Sequence, residues 1–240
     1  MTGAIVLAAG QGKRMHSAVQ KQFLLLKGKP LLCYSLEAFQ KSGIERIILV
    51  TGKEEIEYCR KEITELYGYT KVDAIIAGGK ERYHSVYEGL KAAEGCTEVL
   101  IHDGARPLVT EKIIRDALDG ARQYGACAVG MPVKDTIKLS DEEGFVASTP
   151  DRTHLWQIQT PQAFRYSWIR RAYDKLFARE EYQQGVTDDA MVLETMTDHR
   201  VRLIPGSYEN IKVTTPEDMA VASALLDAAL EGEKICHAEK

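Results

Sequence analysis

At 240 residues, with 45% hydrophobic side chains and only 7 prolines, the chain carries enough apolar material for a well-buried core, which excludes an intrinsically disordered chain. A net charge of -4 supplies no general basic field, so no nucleic-acid partner is expected and any phosphate binding falls to local cations. The five cysteines, at 33, 59, 96, 127 and 236, form no CxxC pair, and no apolar run approaches a bilayer span, so a reducing cytoplasm and no membrane are expected.

The first apolar strand, Ala4 to Leu7, runs into Ala8-Ala9-Gly10-Gln11-Gly12-Lys13-Arg14. Glycines 10 and 12 permit positive φ and close backbone approach, and two cations follow, so the segment reads as a phosphate-cradling loop. An ordinary strand-to-helix turn is the alternative. The dinucleotide fingerprint is ruled out by Met15 where its third glycine belongs, and the P-loop by Arg14 where Ser or Thr must follow the lysine. What remains resembles the signature of nucleotidyltransferases, and Lys21 in Gln20-Lys21-Gln22 completes its basic pair.

Next, Pro30 opens a helix carrying Leu31, Leu32, Leu36 and Phe39, which Gly43 stops. Strands are predicted at Arg46 to Thr51, Val72 to Ala77, Glu98 to His102 and Ala126 to Pro132, with helices at Ser85 to Ala93 and at Glu111 to Tyr124, the latter capped by Thr110. This alternation implies βα units on a mainly parallel sheet flanked by helices, an α/β, Rossmann-like fold. After Val133 the pattern changes. Thr136 to Ser148 holds short strand-like pieces around the polar turn Ser140 to Gly144, read as a β-arm at about 134–156 projecting from the core, with a hairpin packed on its own subunit as the alternative. Helix resumes at Tyr166, followed by Asp189 to Met196, a strand at Val201 to Ile204 and a last helix from Pro216 to about Glu231. The expectation is one domain over 1–231, with 232–240 a frayed tail.

Asp103 and Arg106, in His102-Asp103-Gly104-Ala105-Arg106-Pro107, follow an apolar strand and so sit at the sheet edge where open α/β folds bind ligands. An aspartate there suits Mg²⁺, which takes one or two carboxylates and fills its octahedron with water and substrate phosphates. The alternative is an Asp103–Arg106 ion pair that stiffens the loop. His102 reads as structural rather than as a general base, because a phosphate-monoester acceptor is largely a dianion at pH 7 and needs none. Gly78-Gly79-Lys80-Glu81-Arg82 with Ser85 offers close backbone approach and a hydroxyl donor to a base carbonyl. Lys134 to Lys138, Asp151-Arg152, Gln159-Thr160-Pro161-Gln162, Thr187-Asp188-Asp189-Ala190 and Asn210 to Thr214 are each ordinary turn chemistry.

Taken in order, these segments resemble the 2-C-methyl-D-erythritol 4-phosphate cytidylyltransferase family from Ala4 to about Leu226. The resemblance implies transfer of CMP from CTP to a polyol phosphate, with Mg²⁺ and release of pyrophosphate, in non-mevalonate isoprenoid synthesis. It implies that Ala8, Ala9, Gly10, Gly12, Gly79 and Ser85 hold the cytosine nucleotide, with Lys13, Arg14, Lys21 and Lys212 on its phosphates. Arg14 and Lys21 match the cations of the pentacoordinate phosphorus; Asp103 and Arg106 would hold acceptor or metal, with Thr160, Thr187 and Lys212 near the acceptor. Thr136 and Arg152 would come from the arm of a partner in a homodimer.

Two other readings compete. Ribitol-5-phosphate cytidylyltransferases usually carry Ala-Gly-Gly and Val-Arg-Pro where this chain has Ala8-Ala9-Gly10 and Ala105-Arg106-Pro107, and Asp151-Arg152 followed by Leu155-Trp156 fits the methylerythritol branch better. An inactive nucleotide-binding regulator would not need Arg14, Lys21, Asp103 and Lys212 together.

Overall fold

The computed structural model describes residues 1–10 and 20–238, those from 230 on as backbone only. In chain order the elements are β1 (Thr2–Ala8), a 3₁₀ turn at Lys21–Phe23, the small pair β2 (Leu25–Leu26) and β3 (Lys29–Pro30), α1 (Leu31–Lys41), β4 (Arg46–Thr51) and α2 (Ile56–Tyr58), which continues as a π-helical stretch over Cys59–Glu65. Then come β5 (Val72–Ala77), α3 (Arg82–Ala92), β6 (Glu98–Asp103), α4 (Glu111–Tyr124) and β7 (Ala126–Pro132). The arm strands β8 (Leu139–Ser140) and β9 (Val146–Ser148) precede β10 (Trp156–Arg165), α5 (Tyr166–Ala178), α6 (Asp189–Met196), β11 (Arg202–Pro205) and α7 (Pro216–Ala238).

Seven strands form one sheet in the order β11-β7-β10-β6-β1-β4-β5. All neighbours are parallel except β10, which runs antiparallel to both β6 and β7. Alternation along β1 serves both faces: Ala4, Val6 and Ala8 join the core cluster that holds residues of α1 and α4, while Ile5 joins the cluster built with α3, α5 and α6. Both faces being covered explains why the strands read as continuous apolar runs.

The helix limits have local causes. The Thr110 hydroxyl accepts from the Ile113 N–H at 3.2 Å, capping α4, and Gly125 ends the helix at φ 82°. A Cβ at Gly125 would also lie 2.2 Å from Trp168, so glycine is required there twice over.

The structure corrects the sequence reading in several places. Strand β10 was not expected, because Gln157, Gln159, Gln162 and Pro161 interrupt its apolar pattern. Helix α3 begins at Arg82 rather than Ser85, so the glycine loop is shorter than expected. Helix α7 runs to Ala238, past Glu231, since one glycine costs a helix only about 1 kcal/mol. Gly10 does not take a positive φ, and among the described residues nothing lies within 4 Å of where its Cβ would stand. The arm itself forms as expected: β8 and β9 pair antiparallel in a sheet of their own, and residues 138–149 are all exposed.

Candidate active site

Register places the ends of the central strands side by side, with Leu7 opposite Asp103 and Ala8 opposite Thr51. Above these carboxyl ends lie two cavities of about 620 Å³ and about 330 Å³ that share Arg82, Asp103 and Lys212 in their walls. A crevice at this edge is where open α/β sheets take ligands, and the larger cavity has the volume of a small-molecule site.

The larger cavity is lined by Ala8, Ala9, Gly10, Lys21, Gly79 and Ser85, six of the residues expected around the nucleotide. Ser85 is buried and its hydroxyl accepts from the Gly79 N–H at 3.0 Å while facing the Glu81 carbonyl at 3.3 Å, which folds the glycine loop over the start of α3. A Cβ on Gly78 would lie 2.6 Å from Ala9 and from the Ser85 hydroxyl, so the loop closes on β1 only with glycine there. Lys21 donates to the Val213 carbonyl at 3.3 Å, which brings the 3₁₀ turn against the segment carrying Lys212. Gly12, Lys13 and Arg14 lie outside the described residues.

The smaller cavity is lined by Arg106, Thr160 and Thr187 together with Gln159, Gln162 and Asp188. Arg106 is buried, its Nη1 donates to the Asn210 carbonyl at 2.6 Å, and among the described residues its Nε has no partner. The guanidinium as a whole lines the smaller cavity, so a buried positive charge faces that space. Gln162 is oriented by two contacts, donating to Asp188 at 2.9 Å and accepting from the Ala190 N–H at 2.8 Å.

The expected alternative of an Asp103–Arg106 ion pair is replaced by a different arrangement. Asp103 Oδ1 accepts from Arg82 Nε at 3.0 Å, and Oδ2 meets Lys212 Nζ at 2.6 Å. Burial alone would raise this carboxyl, but Arg82 and Lys212 hold it well below the usual carboxylate range. Arg82 in turn grips the fully buried Asp189 with both Nη atoms, at 3.0 and 2.8 Å, and Tyr173 donates to Asp189 Oδ1 at 2.6 Å. Sequence reasoning assigned no role to Arg82, Asp189, Tyr173 or Gln22, whose amide donates to the Ala8 carbonyl at 2.5 Å. Arg82 and Asp189 stood in segments already singled out, but nothing local shows that residues 107 apart will pair.

His102 is fully buried and lines neither cavity. Its Nδ1 lies 3.0 Å from the Thr160 hydroxyl, which also accepts from the Asp103 N–H at 3.1 Å, and burial pushes the imidazole down to about 3. A neutral ring wedged against Phe39 supports the strand end and lies too deep to serve as a base. Thr136 and Arg152 are exposed on the arm and line neither cavity of their own chain; Arg152 donates to the Lys134 carbonyl at 2.7 Å. Among the described residues no group of three or more His, Cys, Asp or Glu side chains is placed to hold a metal, and no helix is long and apolar enough to cross a membrane.

The family model described as 2-C-methyl-D-erythritol 4-phosphate cytidylyltransferase matches residues 2–228. A protein of that name from Lachnoclostridium phytofermentans is 50% identical over 93% of this chain and 95% of its own, and one from Alkaliphilus oremlandii is 47% identical over 96% and 97%. Among solved structures, the 4-diphosphocytidyl-2C-methyl-D-erythritol synthase of Anaerococcus prevotii superposes with a TM-score of 0.82 at 35% identity, covering 94% of this chain and 96% of that one.

Proposed function

The chain belongs to the 2-C-methyl-D-erythritol 4-phosphate cytidylyltransferase family, and on that premise we propose how its two joined cavities divide the reaction. The enzyme transfers CMP from CTP to 2-C-methyl-D-erythritol 4-phosphate, giving 4-diphosphocytidyl-2-C-methyl-D-erythritol and pyrophosphate in the non-mevalonate isoprenoid pathway. The observation that carries the division is the shared wall: Lys212 and Asp103 face both a cavity lined by the glycine loops and one lined by Arg106. CTP occupies the larger, with its cytosine against Gly79 and Ser85 and its phosphates over Ala8 to Gly12. The polyol phosphate occupies the smaller, held by Arg106, Thr160 and Thr187.

The acceptor phosphate attacks as a dianion, so no proton needs removing, in keeping with the burial of His102. Catalysis then reduces to alignment and charge stabilisation. Arg14 and Lys21 stabilise the charge on the pentacoordinate phosphorus, Lys13 holds the triphosphate, and Lys212 draws the acceptor phosphate into line. Mg²⁺ fits as the metal: each Asp103 oxygen keeps lone pairs beyond its cationic partner, and a single carboxylate is the sparse protein contribution Mg²⁺ accepts when phosphates and water supply the rest. When bound, the ion neutralises phosphate charge.

The arm supports a homodimer with shared sites. Arg152 and Thr136 stand on an exposed hairpin with apolar Leu139, Phe145 and Val146 at 54%, 68% and 62% exposure, a surface suited to a second copy. In this reading residues 1–231 act as one catalytic domain. Buried free cysteines support the reducing cytoplasm as its compartment.

Pyrophosphate release from CTP, measured with the methylerythritol and ribitol phosphates in parallel, tests the assignment. Faster turnover of ribitol phosphate would overturn it.

A further inference from the structure

Arg82 lines both cavities, yet its guanidinium is committed to two carboxylates on different elements. One edge of the fork is fixed on Asp189 at the start of α6, and Nε is presented to Asp103 at the end of β6. Asp189 is itself immobilised by the Tyr173 hydroxyl and has no exposure to solvent. Such a bridge needs a planar, delocalised cation, because a lysine point charge reaches one carboxylate but not both edges of the fork.

Asp103 therefore has two cationic partners of different kinds. Lys212 sits at the mouth with its side chain 38% exposed, whereas Arg82 is held from behind by a buried anchor. Substrate phosphates compete for Lys212. If Lys212 were the sole protein partner of Asp103, its departure before a metal binds would strand a buried carboxylate, which is unfavourable.

We infer that Arg82 is a positioning residue, the permanent counter-ion that fixes the Asp103 carboxylate and leaves Lys212 free to exchange between Asp103 and the acceptor phosphate. This rests on the placement of the acceptor in the smaller cavity. Arg82 touches no reacting atom in this scheme; it acts through Asp103.

The test uses the full-length enzyme with R82M combined with D189N, which removes the half-buried cation and its fully buried carboxylate together and so avoids stranding Asp189. The thermal midpoint and CD spectrum report folding, and kcat and KM are measured for each substrate. The expected result is a folded protein whose kcat/KM for the acceptor falls by about 10-fold to 100-fold, by analogy with loss of a residue that orients a metal-ligating side chain. The same pair of changes introduced beside D103N should cost less than about twofold more, because the effect runs through Asp103. Arg82→Lys, which keeps a positive charge beside the buried Asp189, should fold and remain impaired.

Wild-type kinetics in the folded R82M/D189N protein, full rescue by Arg82→Lys, or an undiminished loss beside D103N would each overturn the inference. A crystal structure of R82M/D189N provides a readout independent of turnover: the Asp103 carboxylate should swing wholly onto Lys212, and an unmoved carboxylate counts against Arg82. If instead the wild-type enzyme does not use the polyol phosphate, the functional assignment fails while this structural readout still stands.

Discussion

Arg82 and Asp189 are joined by two parallel hydrogen bonds, Nη1 to Oδ1 at 3.0 Å and Nη2 to Oδ2 at 2.8 Å, which lock the start of α3 to the start of α6 beneath the site. Tyr173 completes the arrangement from α5, its hydroxyl 2.6 Å from the same carboxylate. Tyr173→Phe removes that donor while preserving the ring. A hydrogen bond to a charged group contributes about 1.5 to 3 kcal/mol, so the variant should be destabilised by that amount in urea unfolding. A loss below about 0.5 kcal/mol would mean that Arg82 alone satisfies Asp189.

Lys21→Ala and Arg14→Ala are expected to act on kcat, since the charge they face develops only in the transition state. By analogy with the loss of one preorganised oxyanion donor, each should cost roughly 10²-fold to 10³-fold, about 3 to 4 kcal/mol. Steady-state kinetics against CTP decide the matter. A raised KM with kcat intact would assign these cations to ground-state binding instead.

CTP should be preferred over purine nucleotides, because the glycine loop closes on β1 so tightly that even a Cβ on Gly78 would lie 2.6 Å from Ala9 and from the Ser85 hydroxyl. The check is turnover with ATP and GTP at saturating acceptor. Rates equal to that with CTP would contradict the assignment of the larger cavity.

Sharing of sites through the arm has a complementation test. Arg152→Ala and Lys21→Ala homodimers should each be nearly inactive, yet a mixed dimer places both lesions in one site and leaves the other intact. With random exchange half of the dimers are mixed, so roughly a quarter of all sites should regain activity after co-expression. Verified mixed dimers without recovery would show that Arg152 serves its own subunit.

The buried thiols should be inert in the native protein. Burial pushes Cys33 and Cys59 up to about 11 and Cys127 up to about 12, and Cys96 is also buried and raised. At pH 8 those three carry well under about 1% thiolate, and reaction requires the thiolate. In a Cys236→Ser variant, labelling with a chromogenic disulfide should therefore approach zero until denaturant is added. Rapid native labelling of any of the four would contradict the packing of the sheet faces.

The sequence alone determined the alternation of strand and helix, the arm, the Gly78-Gly79 loop and the family. Each is written within a short window: β-branched runs such as Arg46 to Thr51 are short and bounded by polar residues, Thr110 caps α4 by reaching three residues on, and the motifs around Lys21, Asp103 and Lys212 are local strings. Tertiary structure decided what those residues touch. Strand β10 escaped notice because polar residues and Pro161 break its pattern, and it is a strand because β6 and β7 on either side satisfy its backbone. The partner of Asp103 was open between a nearby arginine and a metal, and the fold selected Arg82 and Lys212, one anchored by Asp189 and the other at the mouth of the cleft. Charge pairing depends on distance and burial, and both are set only when strand order and helix packing bring distant segments together.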